Sequence, residues 1–244
     1  MTVRSKIAMV MAEFLGTGIL ATAVINVARS QIGIGYFVAF SVAIAFAVTT
    51  LIFGSISGAH FNPAVTIGMW TIRKIKTLQA LAFIAAQMLG GLAAWRLAQY
   101  FTGQTISNIA GKSFNWKVAV AEMTGTAIFT MGIAAAAYQR YEGGKLAATV
   151  GMSLFAGVII ASLASNAQLN PAIALANQSW GRAYIFAPIV GSIVGMNLYA
   201  LLFAPSRTTT ASTASVKVEV VEPAKRVTTR KKATAKKKPA ARRK

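Results

Sequence analysis

The chain has 244 residues, 55% of them apolar, with 25 Lys and Arg against five Asp and Glu and no cysteine. Disulfides, thiolate metal sites and a Cys nucleophile are therefore excluded, and one His with no Asp leaves little for acid–base or metal chemistry. The balance is that of a membrane protein without an enzymatic centre, for which neither a cofactor nor a metal is expected.

In chain order, Arg4 and Lys6 precede an apolar run over residues 7–28. A secretory leader starts in this way, but the run is too long for one and carries Glu13 at its middle, so it reads as the first membrane-spanning helix. Five more runs, over 36–55, 78–101, 118–138, 147–164 and 183–204, are each long enough to cross a bilayer. Two further apolar segments, 62–70 and 170–178, are too short. Nine helical residues reach only about 13 Å, roughly half the hydrocarbon thickness.

Residues 206–244 differ in kind. They hold 13 Lys and Arg, two Glu and no aromatic residue. Such a segment cannot bury enough apolar area to offset chain entropy and reads as a disordered basic tail following a channel domain over 1–205. Two partner classes suit it: anionic lipid, at about 1 kcal/mol per basic residue near the surface, or nucleic-acid phosphates, though it offers no side chain to stack on bases. A solvated tail without a partner is as well supported as both together.

With the N-terminus in the cytoplasm, the inner side collects Arg4, Lys6, Arg73, Lys74, Lys76, Arg140, Lys145 and the tail. The outer side collects Arg29, Arg96, Lys112, Lys117 and Arg182. The triplet at 73–76 and the tail set the orientation, with both termini cytoplasmic in a multi-pass cell-membrane protein.

Residues 12–19 (AEFLGTGI) and 121–128 (AEMTGTAI) agree at five of eight positions, at an offset of 109. Asn62-Pro63-Ala64 recurs as Asn170-Pro171-Ala172 at an offset of 108. Two independent signals with one period indicate duplicated halves, about 7–101 and 118–204. Each half has three crossings, an odd number, so the second enters from the opposite side. The expected fold is all-α: six transmembrane helices and two re-entrant half-helices in an inverted repeat, with a permeation site at the midplane.

Asn-Pro is a strong helix start, because Asn caps with its side-chain oxygen and Pro at the first position has no N–H to leave unpaired. A single Asn-Pro-Ala is ordinarily just a capped helix. Two copies at the repeat period, each opening a half-length apolar segment, point to half-helices that meet near the membrane centre. Their positive ends repel cations, and the Asn amides are free to donate to a water oxygen. The stretches 57–61 and 165–169 before the caps expose backbone carbonyls, among them those of Gly58, Ala59, His60, Asn166 and Gln168, as acceptors along an apolar tube.

Glu13 and Glu122 occupy matching positions inside spanning helices. A proton relay would need titratable partners that are missing, so they read as anchors for the backbone N–H groups of the re-entrant loops, with Gln87 in the same service. His60 has no second ligand or base beside it and reads as a packed ring. Gly90, Gly91, Gly191 and Gly195 suit close helix crossing, within the chain rather than between chains.

The segment Ser57-Gly58-Ala59-His60-Phe61-Asn62-Pro63-Ala64-Val65-Thr66 resembles, nearly letter for letter, the first pore loop of the aquaporin and glycerol-facilitator family, the major intrinsic proteins. The likeness runs over about residues 7–204. It implies a homotetramer in which each monomer has its own pore for water or small neutral solutes, and it assigns the buried glutamates the anchoring role. It also places a selectivity filter at Val42, Val158, Ala167 and Ile173. In the family, position 173 is nearly always Arg; here it is Ile. A glycerol facilitator carries Asp at 174, where this chain has Ala174, and a water channel carries His near 158. Tyr184 resembles the water-selective subclass.

An apolar filter without the arginine should be wider, less polar and weaker as a cation barrier. Water passes it unless the ring dewets, and glycerol, urea, ammonia and hydrogen peroxide become candidate solutes. A neutral-solute facilitator, and a non-conducting membrane scaffold with a recruiting tail, are the competing readings. No nucleotide-binding loop is present to power a pump.

Overall fold

A computed structural model describes residues 2–30, 35–111 and 113–204. The basic segment 206–244, with the lipid and nucleic-acid partners expected of it, lies outside the described residues. The elements are α1 (Val3–Arg29), α2 (Gly35–Ser57), α3 (Pro63–Thr71), α4 (Thr77–Thr102), α5 (Trp116–Tyr138), α6 (Gly143–Ala161), α7 (Pro171–Ala176) and α8 (Arg182–Phe203). Six of these are long and apolar enough to cross a membrane, and α3 and α7 are the half-length exceptions.

The helices overrun the apolar runs because backbone hydrogen bonding continues into the polar flanks. α1 starts four residues before the run, capped by the Thr2 hydroxyl, which accepts from the Ser5 amide. Two elements are shorter than the pattern suggests. α6 stops at Ala161, where Ser162 turns its N–H back to the carbonyls of Val158 and Ile160, and the remaining residues to 164 form a turn. α7 has six residues instead of nine: the Asn177 amide returns to the Ile173 carbonyl, and Gln178 then takes a left-handed φ of 54°. Hydropathy does not register the first stop, since Leu163 and Ala164 remain apolar, whereas the polar Asn177 and Gln178 mark the second.

The packing repeats between halves. α1 packs on α2 and α4, as α5 packs on α6 and α8, and α2 against α6 joins the two sets. Each half-helix also crosses over: α3 packs on α8, and α7 on α4. The fold is an inverted repeat of three spanning helices and one half-helix. Small residues permit the closest crossings. A Cβ at Gly90 would lie 2.4 Å from the Phe14 carbonyl oxygen of α1, and one at Gly191 would lie 2.2 Å from that of Met123 on α5. Gly195 meets Ala127 in the same way, and Gly91 abuts Ala172 of α7. These glycines hold helices of one chain together.

A lipid-facing surface follows from what the core leaves over. Large apolar side chains such as Leu51, Leu81, Leu89, Met152 and Leu201 point outward, whereas buried polar residues gather around the two half-helix loops. Where a soluble protein buries its apolar side chains, this one shows them to hydrocarbon and folds its polar groups inward.

Candidate pore site

The two loops that lead into α3 and α7 are extended and twisted. Gly58, Ala59 and Phe61 in the first, and Ala167 and Leu169 in the second, have positive φ between 47° and 93°. Left-handed backbone at non-glycine residues is costly and persists only where the surroundings over-determine it. Here the surroundings are two buried carboxylates.

Glu13 is fully buried, and its Oε1 accepts from the Ser57 hydroxyl at 2.6 Å and the His60 amide at 3.0 Å. Its Oε2 accepts from the Phe61 amide and from Gln87 Nε2, both at 2.7 Å. Glu122 repeats the arrangement: Oε1 accepts from the Ser165 hydroxyl at 2.8 Å and the Gln168 amide at 2.9 Å, and Oε2 from the Leu169 amide at 2.7 Å. The serine hydroxyls close each loop, Ser57 accepting from the Ala59 amide and Ser165 from the Ala167 amide. Ser57 and Ser165 open the two pre-cap stretches at the repeat offset of 108, a pairing visible in the sequence, whereas their bonds to the buried carboxylates are not.

The halves are not identical. Gln87 also donates to the Thr66 hydroxyl at 2.8 Å, and His60 Nδ1 lies 3.1 Å from the same oxygen. The His60 ring stands edge-on to Phe83 at 5.5 Å between centroids. At the repeat-equivalent positions stand Ala174, Met196 and Gln168, so this second polar cluster exists in one half only.

Asn62 and Asn170 cap their half-helices with almost the same backbone geometry, φ −156° in both. The Asn62 side-chain oxygen accepts from the Ala64 amide at 2.8 Å, and that of Asn170 from the Ala172 amide at 2.9 Å. Their amide nitrogens cross over. Asn62 Nδ2 donates to the Leu169 carbonyl at 2.8 Å, and Asn170 Nδ2 to the Phe61 carbonyl at 2.9 Å. Each NH2 group has two protons, so one proton per amide is left for a guest once the cross-link is made.

A cavity of about 50 Å³ contacts both asparagines. At ~10–15 Å³ per water centre this is room for a few water molecules. Val42, Val158, Ala167 and Ile173 all line it, as do Asn166 and Gln168. Gly58, Ala59 and His60 are not among its lining residues; they belong to the loop that Glu13 holds. No described lining residue is charged. The sequence reading missed the bulky members of the lining, Leu20, Phe46, Phe129 and Leu154, and also Asn177 at the end of α7. Phe129 stands 109 positions after Leu20 and Leu154 stands 108 after Phe46, so the repeat itself was the signal.

The mouth is shaped by one more contact set. Tyr184 accepts from the Asn166 amide through its hydroxyl at 3.3 Å. The connection between the halves folds back on the end of α7: Ile109 donates to the Gln178 carbonyl at 2.7 Å, and Asn108 exchanges two hydrogen bonds with the backbone of Trp180.

The family model of the major intrinsic proteins matches residues 1–203. Aquaporin Z from Photorhabdus laumondii is 34% identical, the alignment covering 79% of this chain and 96% of that protein. Aquaporin AqpM from Methanothermobacter thermautotrophicus is 29% identical, with 70% and 78% covered. The rat lens fiber major intrinsic protein is 34% identical, with 68% of each chain covered. Among solved structures, the aquaglyceroporin from Plasmodium falciparum superposes with a TM-score of 0.69 at 22% identity, covering 82% of this chain and 98% of that one, a likeness of fold.

Proposed function

The chain belongs to the major intrinsic protein family, and on that premise we propose that the crossed Asn62 and Asn170 amides are the centre of its conduction path. The protein is a multi-pass membrane channel, passive, for water and small solutes, and not an enzyme. The observation that carries the proposal for the site is the cavity reaching both asparagines, each with one amide proton beyond its loop-to-loop bond. A water oxygen there can accept from both amides, which turns its own protons away from the neighbouring waters and interrupts a proton wire.

Val42, Val158, Ala167 and Ile173 form the filter in this reading. Without a fixed charge, the barrier against cations rests on the positive dipole ends of α3 and α7, which meet at the asparagines. The carbonyls of Gly58, Ala59, His60, Asn166 and Gln168 are the acceptors on either side of the centre, and Glu13, Glu122 and Gln87 hold them in place. The termini lie in the cytoplasm at the cell membrane, in keeping with the basic triplet at 73–76. A homotetramer follows from the family resemblance, and 206–244 is a basic cytoplasmic extension outside the channel domain.

Stopped-flow light scattering on proteoliposomes tests the assignment. A sucrose gradient should shrink them several times faster than empty vesicles. Shrinkage at the rate of empty vesicles would instead favour a non-conducting scaffold.

A further inference from the structure

The filter positions carry no aromatic ring, yet the path has one a turn deeper. Phe46 follows Val42 by four residues on the same face of α2, and both line the cavity. Its ring is 1% exposed and packs 5.7 Å from that of Phe61, the residue whose carbonyl receives the Asn170 amide. Phe46 therefore packs on the loop residue that the Asn170 amide bonds, and it lines the same cavity as both asparagines. It is braced edge-on by Phe129, again at 5.7 Å with an interplanar angle of 80°. Phe53 holds Phe61 from the other side at 6.2 Å. A ring locked in this way cannot swing aside as an isolated side chain would.

Leu20 and Leu154 complete a layer with one bulky apolar residue from each of α1, α2, α5 and α6. Above it, the mouth is two valines, an alanine and an isoleucine. Size exclusion and charge exclusion are then decided at different depths.

Resting on the channel reading above, we infer that Phe46, braced by Phe129, is the size-determining residue. The solutes passed are water and neutral molecules of about its size, such as ammonia and hydrogen peroxide; polyols and ureas are held back. In this inference the aliphatic filter positions pass the larger solutes, and the aromatic layer beside Asn62 and Asn170 stops them.

The test is full-length protein in proteoliposomes, read by stopped flow for water under sucrose and for glycerol and urea by re-swelling. Wild type should carry water and exclude both solutes. Phe46→Val should raise glycerol permeability by about tenfold or more, with Phe46→Leu between the two. Water flux through each variant shows that it is inserted and open. Rapid glycerol entry through wild type would overturn the inference, as would a Phe46→Val or Phe46→Leu channel that conducts water and still excludes glycerol. Absence of water flux in wild type is a separate result, which removes the channel reading itself.

Discussion

Asn62 and Leu169 stand 107 positions apart in the chain, and a 2.8 Å hydrogen bond from the Asn62 amide to the Leu169 carbonyl joins them. With its partner from Asn170 to Phe61, this bond ties the loop of each half to the cap of the other. The half-helices are thus fixed tip to tip by the same two side chains that the proposed function puts at the centre of the path.

Asn62→Asp separates those roles. The carboxylate keeps the cap, accepting from the Ala64 amide, but cannot donate to Leu169 and adds a negative charge at the path's centre. Water permeability should fall, and sodium uptake, read with an encapsulated sodium dye, should rise above that of wild type. Sodium exclusion equal to wild type would show that the cation barrier lies elsewhere.

The two glutamates should differ in cost. Removing Glu13 takes the acceptor from four donors, and removing Glu122 strands only the Gln168 and Leu169 amides, because the Ser165 hydroxyl also reaches the Ala161 carbonyl. Each orphaned buried donor costs about 1–3 kcal/mol. Glu13→Ala should unfold at lower temperature in detergent than Glu122→Ala, and both below wild type. Equal melting temperatures would mean that the Gln87 contact contributes nothing to the loop's stability.

Ile173→Arg places a cation in the lining at a buried position beside Asn170. Its long stem allows the guanidinium to reach toward the wider mouth. Proton leak, followed with an internal pH dye, should drop by about fivefold or more, and water flux should fall by less. An unchanged leak would show that the apolar filter is not where cations enter.

Deleting residues 206–244 removes 13 basic residues and no part of the described bundle. Water permeability per inserted channel should remain within about twofold of wild type. If the tail associates with anionic lipid, the truncated protein should also show weaker retention on anionic vesicles than the full chain at low salt. Lost flux from a well-inserted truncate would make the tail part of pore control.

How much of this was readable beforehand follows from the kind of signal involved. Residue type and period belong to the chain itself: six long apolar runs, two short ones, paired Asn-Pro-Ala segments and paired glutamates are all visible in one dimension. Those features determined the membrane class and the inverted repeat, and the family resemblance pointed to Val42, Val158, Ala167 and Ile173, which do line the cavity. They could not supply depth. Phe46 and Phe129 look like any other apolar residues in a spanning helix, and only the packing of α2 on Phe61 and on α5 brings both rings into the cavity that the asparagines line. Nor could the sequence say that each Asn amide bonds across to the opposite loop, because that partner is chosen by the meeting of two half-helices over a separation of more than 100 residues. The asymmetry between the loops has the same origin. The sequence marks His60 as the one histidine and Gln87 as a loop anchor but gives no sign of Thr66 between them; the crossing of α4 beside α3 turns the three into one polar cluster, while Ala174, Gln168 and Met196 take the matching places without forming one. Local chemistry sets which helices form and where they begin; which side chains share a level of the path is settled only when the two halves interlock.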